Sequence, residues 1–90
     1  SIKDLNIIVG SEVSYEDLKV TDMNAKIKDL IDISFVDRFL DKKIGTDKVS
    51  YTIRMKFQST TISLTDNEIQ NNIKQIFSLL QGKFNASLRQ

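Results

Sequence analysis

The stretch from Val49 to Phe57 limits what this chain can fold into more than any other. Val49, Tyr51, Ile53, Met55 and Phe57 alternate without a break with Ser50, Thr52, Arg54 and Lys56. A period of two held this long is the pattern of a β-strand that turns one face to a core and the other to water. The rest of the chain has to supply that core.

Leu5-Asn6-Ile7-Ile8-Val9 is a short apolar run closed by Gly10-Ser11, which reads as a buried first strand and a loop. Ser14 is placed to cap a helix over 15–24, with Asp17 three residues on and Leu18 and Met23 along one side. Between Asn24 and Asp32 the pattern is open: Ile27, Leu30 and Ile31 fit helical spacing, but the weak helix formers among them fit a broken helix or a turn. Ile33 to Leu40, rich in Phe, Ile and Val, is a second strand, and residues 41–48 are polar and charged as an exposed hairpin loop is. After the alternating strand, Leu64-Thr65-Asp66-Asn67-Glu68-Ile69 carries a capping box, Thr65 with Glu68, and a staple of Leu64 on Ile69. Ile69, Ile73, Ile76, Phe77 and Leu80 then form one apolar stripe, and Gly82 predicts a helix end near Gln81. Phe84, Ala86 and Leu88, alternating with Asn85, Ser87 and Arg89, predict a fourth strand.

Strand, helix, strand, strand, helix, strand is the split βαβ order of the α+β, ferredoxin-like sandwich (βαββαβ). That fold has a four-stranded antiparallel sheet with two helices on one face and the first and third strands at its centre. The other sheet face stays open, and alternation assigns to it Asn6 and Ile8, then Ser50, Thr52, Arg54 and Lys56, then Ser87 and Arg89. Cations outnumber anions in that set, and a polar sheet face of this kind is a recurring seat for single-stranded RNA.

Composition narrows the chemistry. Ninety residues make a single domain, 1–90, with one modest core. Neither His nor Cys occurs, which removes most zinc sites, disulfides and the common nucleophile–base pairs, and fits a reducing compartment, the cytoplasm. No catalytic or metal-binding constellation is expected. Net charge is only +1, so binding to nucleic acid has to come from where the charges lie. No apolar run is long enough to span a membrane and no signal peptide is legible, so a soluble domain without a membrane partner is expected. Ser1, in place of Met, stands directly before strand-like sequence, which suggests a fragment of a longer polypeptide.

Five segments, in order and at compatible spacing, carry a resemblance. They are Lys3-Asp4-Leu5-Asn6-Ile7-Ile8-Val9, Phe35-Val36-Asp37-Arg38-Phe39, Lys48-Val49-Ser50, Leu64-Thr65-Asp66-Asn67-Glu68-Ile69 and Phe84-Asn85-Ala86-Ser87-Leu88-Arg89. Together they resemble the ferredoxin-fold anticodon-binding domain that closes the β chain of bacterial phenylalanine-tRNA ligases. The resemblance covers essentially the whole chain. Lys3 stands where the family usually has Arg, Phe39 where it often has Tyr, and Leu40-Asp41 where a Gly commonly follows the aromatic.

The resemblance implies a domain that grips the anticodon stem-loop of the phenylalanine tRNA. Its protein partners would be the remainder of the β chain and the α chain of the parent heterotetramer. Catalysis with ATP and magnesium would lie elsewhere in the parent enzyme, with no cofactor in this domain. On the family pattern, the first anticodon base lies between Phe39 and Asn6 with Ser50 nearby. By their place on the open face Arg54, Lys56 and Arg89 are the candidate phosphate contacts, and Lys3 is a further candidate RNA-binding residue.

Plainer roles exist for each. Phe39 fits a core position, Asn6 and Ser50 fit ordinary polar strand positions, and Arg54, Lys56 and Arg89 fit a solvated face. Lys42 and Lys43 fit a loop that aids solubility. Asp4 and Asp37 read as structural, held by hydrogen bonds or by Arg38 or Lys3. The rival function is a ferredoxin-like regulatory small-molecule-binding or protein-interaction module. For the amino-acid-binding form of it, Gly10, Gly45 and Gly82 do not cluster into the required turn. An acylphosphatase-like enzyme needs an Arg in the loop after the first strand, where this chain has Gly10-Ser11-Glu12-Val13-Ser14. A standard RNA recognition motif wants outward aromatics on the central strand, whereas Tyr51, Met55 and Phe57 share the inward phase.

Overall fold

A computed structural model describes residues 2–40, 42–58 and 65–88. The elements run β1 (Ile2–Gly10), α1 (Tyr15–Asn24), β2 (Leu30–Phe39), β3 (Lys48–Phe57), α2 (Asp66–Phe84) and β4 (Ser87–Leu88). The strands form one sheet in the order β2-β3-β1-β4, each antiparallel to its neighbour. This is the ferredoxin-like α+β order, with β1 and β3 central.

The alternation in β3 survives unchanged. Val49, Tyr51, Ile53, Met55 and Phe57 are buried, and they join Ile7 and Val9 of β1, Ile33 of β2, Leu18 of α1, and Ile69, Ile76 and Leu80 of α2 in a single cluster. Both helices therefore cover the same sheet face. At roughly 1.5–3 kcal/mol for each large apolar side chain buried, this cluster is the main force holding the layers together.

Local signals set the helix starts. The Ser14 hydroxyl accepts from the Asp17 N–H at 3.1 Å, and the Asp17 carboxylate accepts from the Ser14 N–H at 3.2 Å. This satisfies two backbone donors that a helix start leaves open. At α2 the Thr65 hydroxyl accepts from the Glu68 N–H at 3.2 Å, while Glu68 reaches back to the Thr65 hydroxyl, which donates to it at 3.1 Å. The expected staple from Leu64 lies outside the described residues.

Several boundaries depart from expectation, β1 among them, which runs from Ile2 rather than Leu5. β2 begins at Leu30 rather than Ile33, because the ambiguous segment is a tight turn in which Lys26 and Asp29 adopt left-handed φ values of 53° and 64°. α2 does not end at Gly82 but runs through it to Phe84, whose ring packs on the core, and the left-handed cap is Asn85 at φ 56°. Asn is the residue that tolerates this conformation best after Gly. In consequence Phe84 and Asn85 belong to the helix and its cap, and β4 is only Ser87–Leu88.

β2 alternates poorly for a reason visible in its pairing with β3. The register slips between Leu30 and Asp32 and again between Phe35 and Asp37. Each slip inserts an extra residue, as a β-bulge does. Phe35 consequently faces the helices, edge-on to the rings of Tyr15 and Tyr51 at 4.2 and 5.4 Å. Phe39, four residues on, pairs with Ser50 and faces the other way.

Candidate nucleic-acid interface

Residues directly opposite each other in an antiparallel pair project from the same sheet face, so the registers assemble the open face row by row. Asp32, Lys56 and Ile2 form one row; Ser34, Arg54 and Asp4 the next; then Asp37, Thr52 and Asn6; then Phe39, Ser50, Ile8 and Ser87. Lys48, opposite Gly10, follows on the same phase. The face thus passes from a charged end to an end with an aromatic, an isoleucine and a small hydroxyl.

Phe39 is 37% exposed and so is not a core residue. Ser50 lies on this face in register but is only 2% exposed, enclosed on the central strand between the larger Phe39 and Ile8. Alternation gave its side correctly; its accessibility depended on what its neighbours are. Asn6 is exposed, and its carbonyl accepts from the Thr52 hydroxyl at 2.7 Å. Phe39, Ser50 and Asn6, separated widely in sequence, are brought onto adjacent rows.

The electrostatics differ from expectation. Asp4 is held neither by Arg38 nor by Lys3. Arg54 grips it with two charge-assisted bonds, Nε to Oδ1 at 3.0 Å and Nη2 to Oδ2 at 3.1 Å. Those hydrogen bonds hold the Asp4 carboxyl below its ordinary range and push the Arg54 guanidinium above its own. Across the described open face, Lys48, Arg54 and Lys56 are balanced by Asp4, Asp32 and Asp37, so the expected excess of cations is absent from these residues. Arg89 lies outside the described residues. The excess was misjudged because the bulges in β2 conceal which of its residues point outward, and Asp32 and Asp37 both do.

Lys3 pairs with Met55, which puts it on the helix side of the sheet and away from Phe39. Arg38, opposite Tyr51, is on that side too: its Nε donates to the Tyr51 hydroxyl at 3.3 Å, and the hydroxyl donates to the Val13 carbonyl at 2.9 Å. Asp37 and Arg38 therefore face opposite ways and do not pair. One cation that sequence reasoning passed over is Lys48. It sits on the open phase beside the aromatic end, opposite Gly10, over which the Glu12 carboxylate folds, and with Lys42, Leu40, Gly45 and Thr46 it lines a hollow in the β2–β3 connection. Extending the alternation of β3 by one residue towards its start would have found it.

No helix of the described residues is long and apolar enough to cross a membrane. The chain resembles the phenylalanine–tRNA ligase beta subunit of Buchnera aphidicola at 29% identity over 87 residues, covering 97% of this chain and 11% of that protein. It resembles the subunit of the same name from Sulfurimonas denitrificans at 30% over 89 residues, covering 99% and 11%. To that of Shewanella oneidensis it is 31% identical over 87 residues, covering 97% and 11%. The chain spans about a tenth of the length of these relatives. A family model described as the ferredoxin-fold anticodon binding domain matches residues 1–89, and with the fold and nearly the whole length in agreement, this chain belongs to that family.

Proposed function

We propose that the open sheet face holds the anticodon stem-loop of the phenylalanine tRNA as part of a phenylalanine–tRNA ligase beta subunit, with aminoacylation carried out elsewhere in that enzyme. The observation that carries this is Phe39, an aromatic ring left 37% exposed on an uncovered sheet face, where burial would be the ordinary fate of such a side chain. A base stacked on that ring gains about 1–3 kcal/mol, whatever its identity. Ser50, small and enclosed beside the ring, leaves room above it for a base, and Asn6 on the next row offers an amide to a base edge. Lys48 and Lys42 supply the nearest positive charge for phosphates at this end of the sheet. Arg54 contributes less, its charge being compensated by Asp4, and Lys3 lies off this surface.

ATP and magnesium belong, on this proposal, to the remainder of the parent enzyme. A cytoplasmic setting and partnership with the remaining beta chain and the alpha chain follow from the same proposal.

The test is a titration of the isotopically labelled chain with two RNA hairpins, one carrying the phenylalanine anticodon loop and one with the anticodon replaced, followed by NMR. The expected result is tighter binding of the first, with the largest amide shifts at Asn6, Ile8, Phe39 and Ser50. Equal affinity for both hairpins, or shifts confined to the helix layer, would overturn it.

A further inference from the structure

On the helix side of the fold, a second surface concentrates positive charge. Lys26 and Lys28 in the turn after α1 and Lys74 on α2 line an open groove of about 800 Å³ together with Ala25, Ile27, Gln75, Ser78 and Leu79. Among the described residues no carboxylate lines it and none of the three lysines has an ion-pair partner. This local charge of three exceeds the net charge of the whole chain, +1.

The lysines are not on a loose loop. The Asn72 amide, 8% exposed, donates to the Lys28 carbonyl at 2.9 Å and ties the turn to α2. The Gln58 N–H donates to the Asp29 carbonyl at 2.8 Å and ties it to the end of β3, while the Leu30 N–H closes it on Ile27 at 3.2 Å. A buried side chain thus fixes the distance between the two banks of the groove.

We infer that this groove is a second RNA contact, taking a run of backbone phosphates on Lys26, Lys28 and Lys74 from a segment other than the one lying on Phe39. It rests on the proposal that the chain holds RNA, and adds a surface on the opposite layer. A polyanion fits where a single small anion does not: the lysines are exposed and screened by salt, so affinity comes from several charges displacing counterions together. Gln75 and Ser78 offer hydrogen-bonding groups for ribose hydroxyls, and Ala25, Ile27 and Leu79 offer apolar floor for the sugars. Contacts to phosphate and ribose carry no sequence information, so this one is indifferent to sequence.

The experiment compares wild type, Phe39→Ala and the triple variant Lys26→Gln, Lys28→Gln, Lys74→Gln for binding of the two hairpins across a KCl series, with thermal melts as a control for folding. The triple variant is expected to lose about tenfold or more in affinity for both hairpins equally, and its salt slope to flatten by about two units, from three lost phosphate contacts. Phe39→Ala should instead weaken binding by roughly ten- to a hundredfold and keep the slope. Wild-type affinity and slope in the triple variant overturn the groove and leave the sheet-face proposal standing. A wild-type chain that binds neither hairpin overturns both. Protection of these three lysines from acetylation by polyglutamate, but not by either hairpin, also overturns it and points to an acidic protein.

Discussion

Arg54 and Asp4, 50 residues apart in sequence, meet on adjacent central strands in a two-pronged contact of 3.0 and 3.1 Å. Both are exposed, so the pair adds little to stability. Its larger effect is to cancel a cation in the middle of the open face. Asp4→Asn is therefore expected to strengthen RNA binding severalfold and steepen its salt slope by up to about one unit. Arg54→Ala should leave the slope nearly unchanged, and neither variant should shift the melting temperature by more than a few degrees. Anisotropy across a salt series checks this; a slope that flattens in Arg54→Ala would show that the guanidinium abandons Asp4 for a phosphate.

Phe39 and Phe35 separate recognition from stability. Phe39→Ala should melt close to wild type while losing roughly ten- to a hundredfold in affinity for the anticodon hairpin, and Phe39→Tyr should be near neutral in both. Phe35, packed edge-on against Tyr15 and Tyr51, should do the reverse. Its truncation is expected to cost about 3 kcal/mol of stability. Denaturant unfolding of the two variants gives the comparison, and a strongly destabilised Phe39→Ala would return that ring to the core.

Asp22 is a buried carboxyl on α1, and among the described residues neither of its oxygens has a hydrogen-bond partner. Burial raises its pKa from 3.8 to about 7. The folded chain thus keeps a proton that the unfolded chain releases, so this group's contribution is full below about pH 3.8, erodes as pH rises, and levels off above about pH 7. The span corresponds to on the order of 4 kcal/mol, a large share of what a small domain possesses. Asp22→Asn should melt well above wild type at about pH 8 and close to it at about pH 4. Parallel pH profiles for the two proteins would count against it.

The helix end yields a paired prediction. A Cβ at Gly82 meets nothing within 4 Å, so Gly82→Ala should stabilise the chain by about 1 kcal/mol through helix propensity and reduced freedom of the unfolded state. Asn85→Ala should cost about 1 kcal/mol, since Ala tolerates the left-handed cap poorly. Thermal melts moving in opposite directions check both; a loss of stability in Gly82→Ala would restore the glycine to a capping role.

What could be read from the sequence was whatever depended on near neighbours. The β3 alternation, the Ser14–Asp17 box and the topology all rest on local spacing, and all three stand in the fold. The Arg54–Asp4 pair, the enclosure of Ser50 and the side taken by Lys3 depend on register between strands, which one strand's pattern does not specify. Gly82 misled because a good terminator was overridden by the packing of Phe84 beyond it. Asp32 and Asp37 were missed as outward groups because each follows a slip in β2.

The slip at Val36 has a meaning of its own for comparison among relatives. Facing in a strand is a matter of parity, and an odd insertion reverses the parity of everything beyond it until the strand ends. Loss of that single residue would restore regular alternation and leave Phe39 outward, whereas loss of the slip with every residue kept would turn Phe39 towards the helices and bring Arg38 out in its place. An ungapped alignment to a relative whose strand lacks the slip can therefore match Phe39 to an aromatic that occupies the other side of the sheet, with every letter agreeing and the surface exchanged.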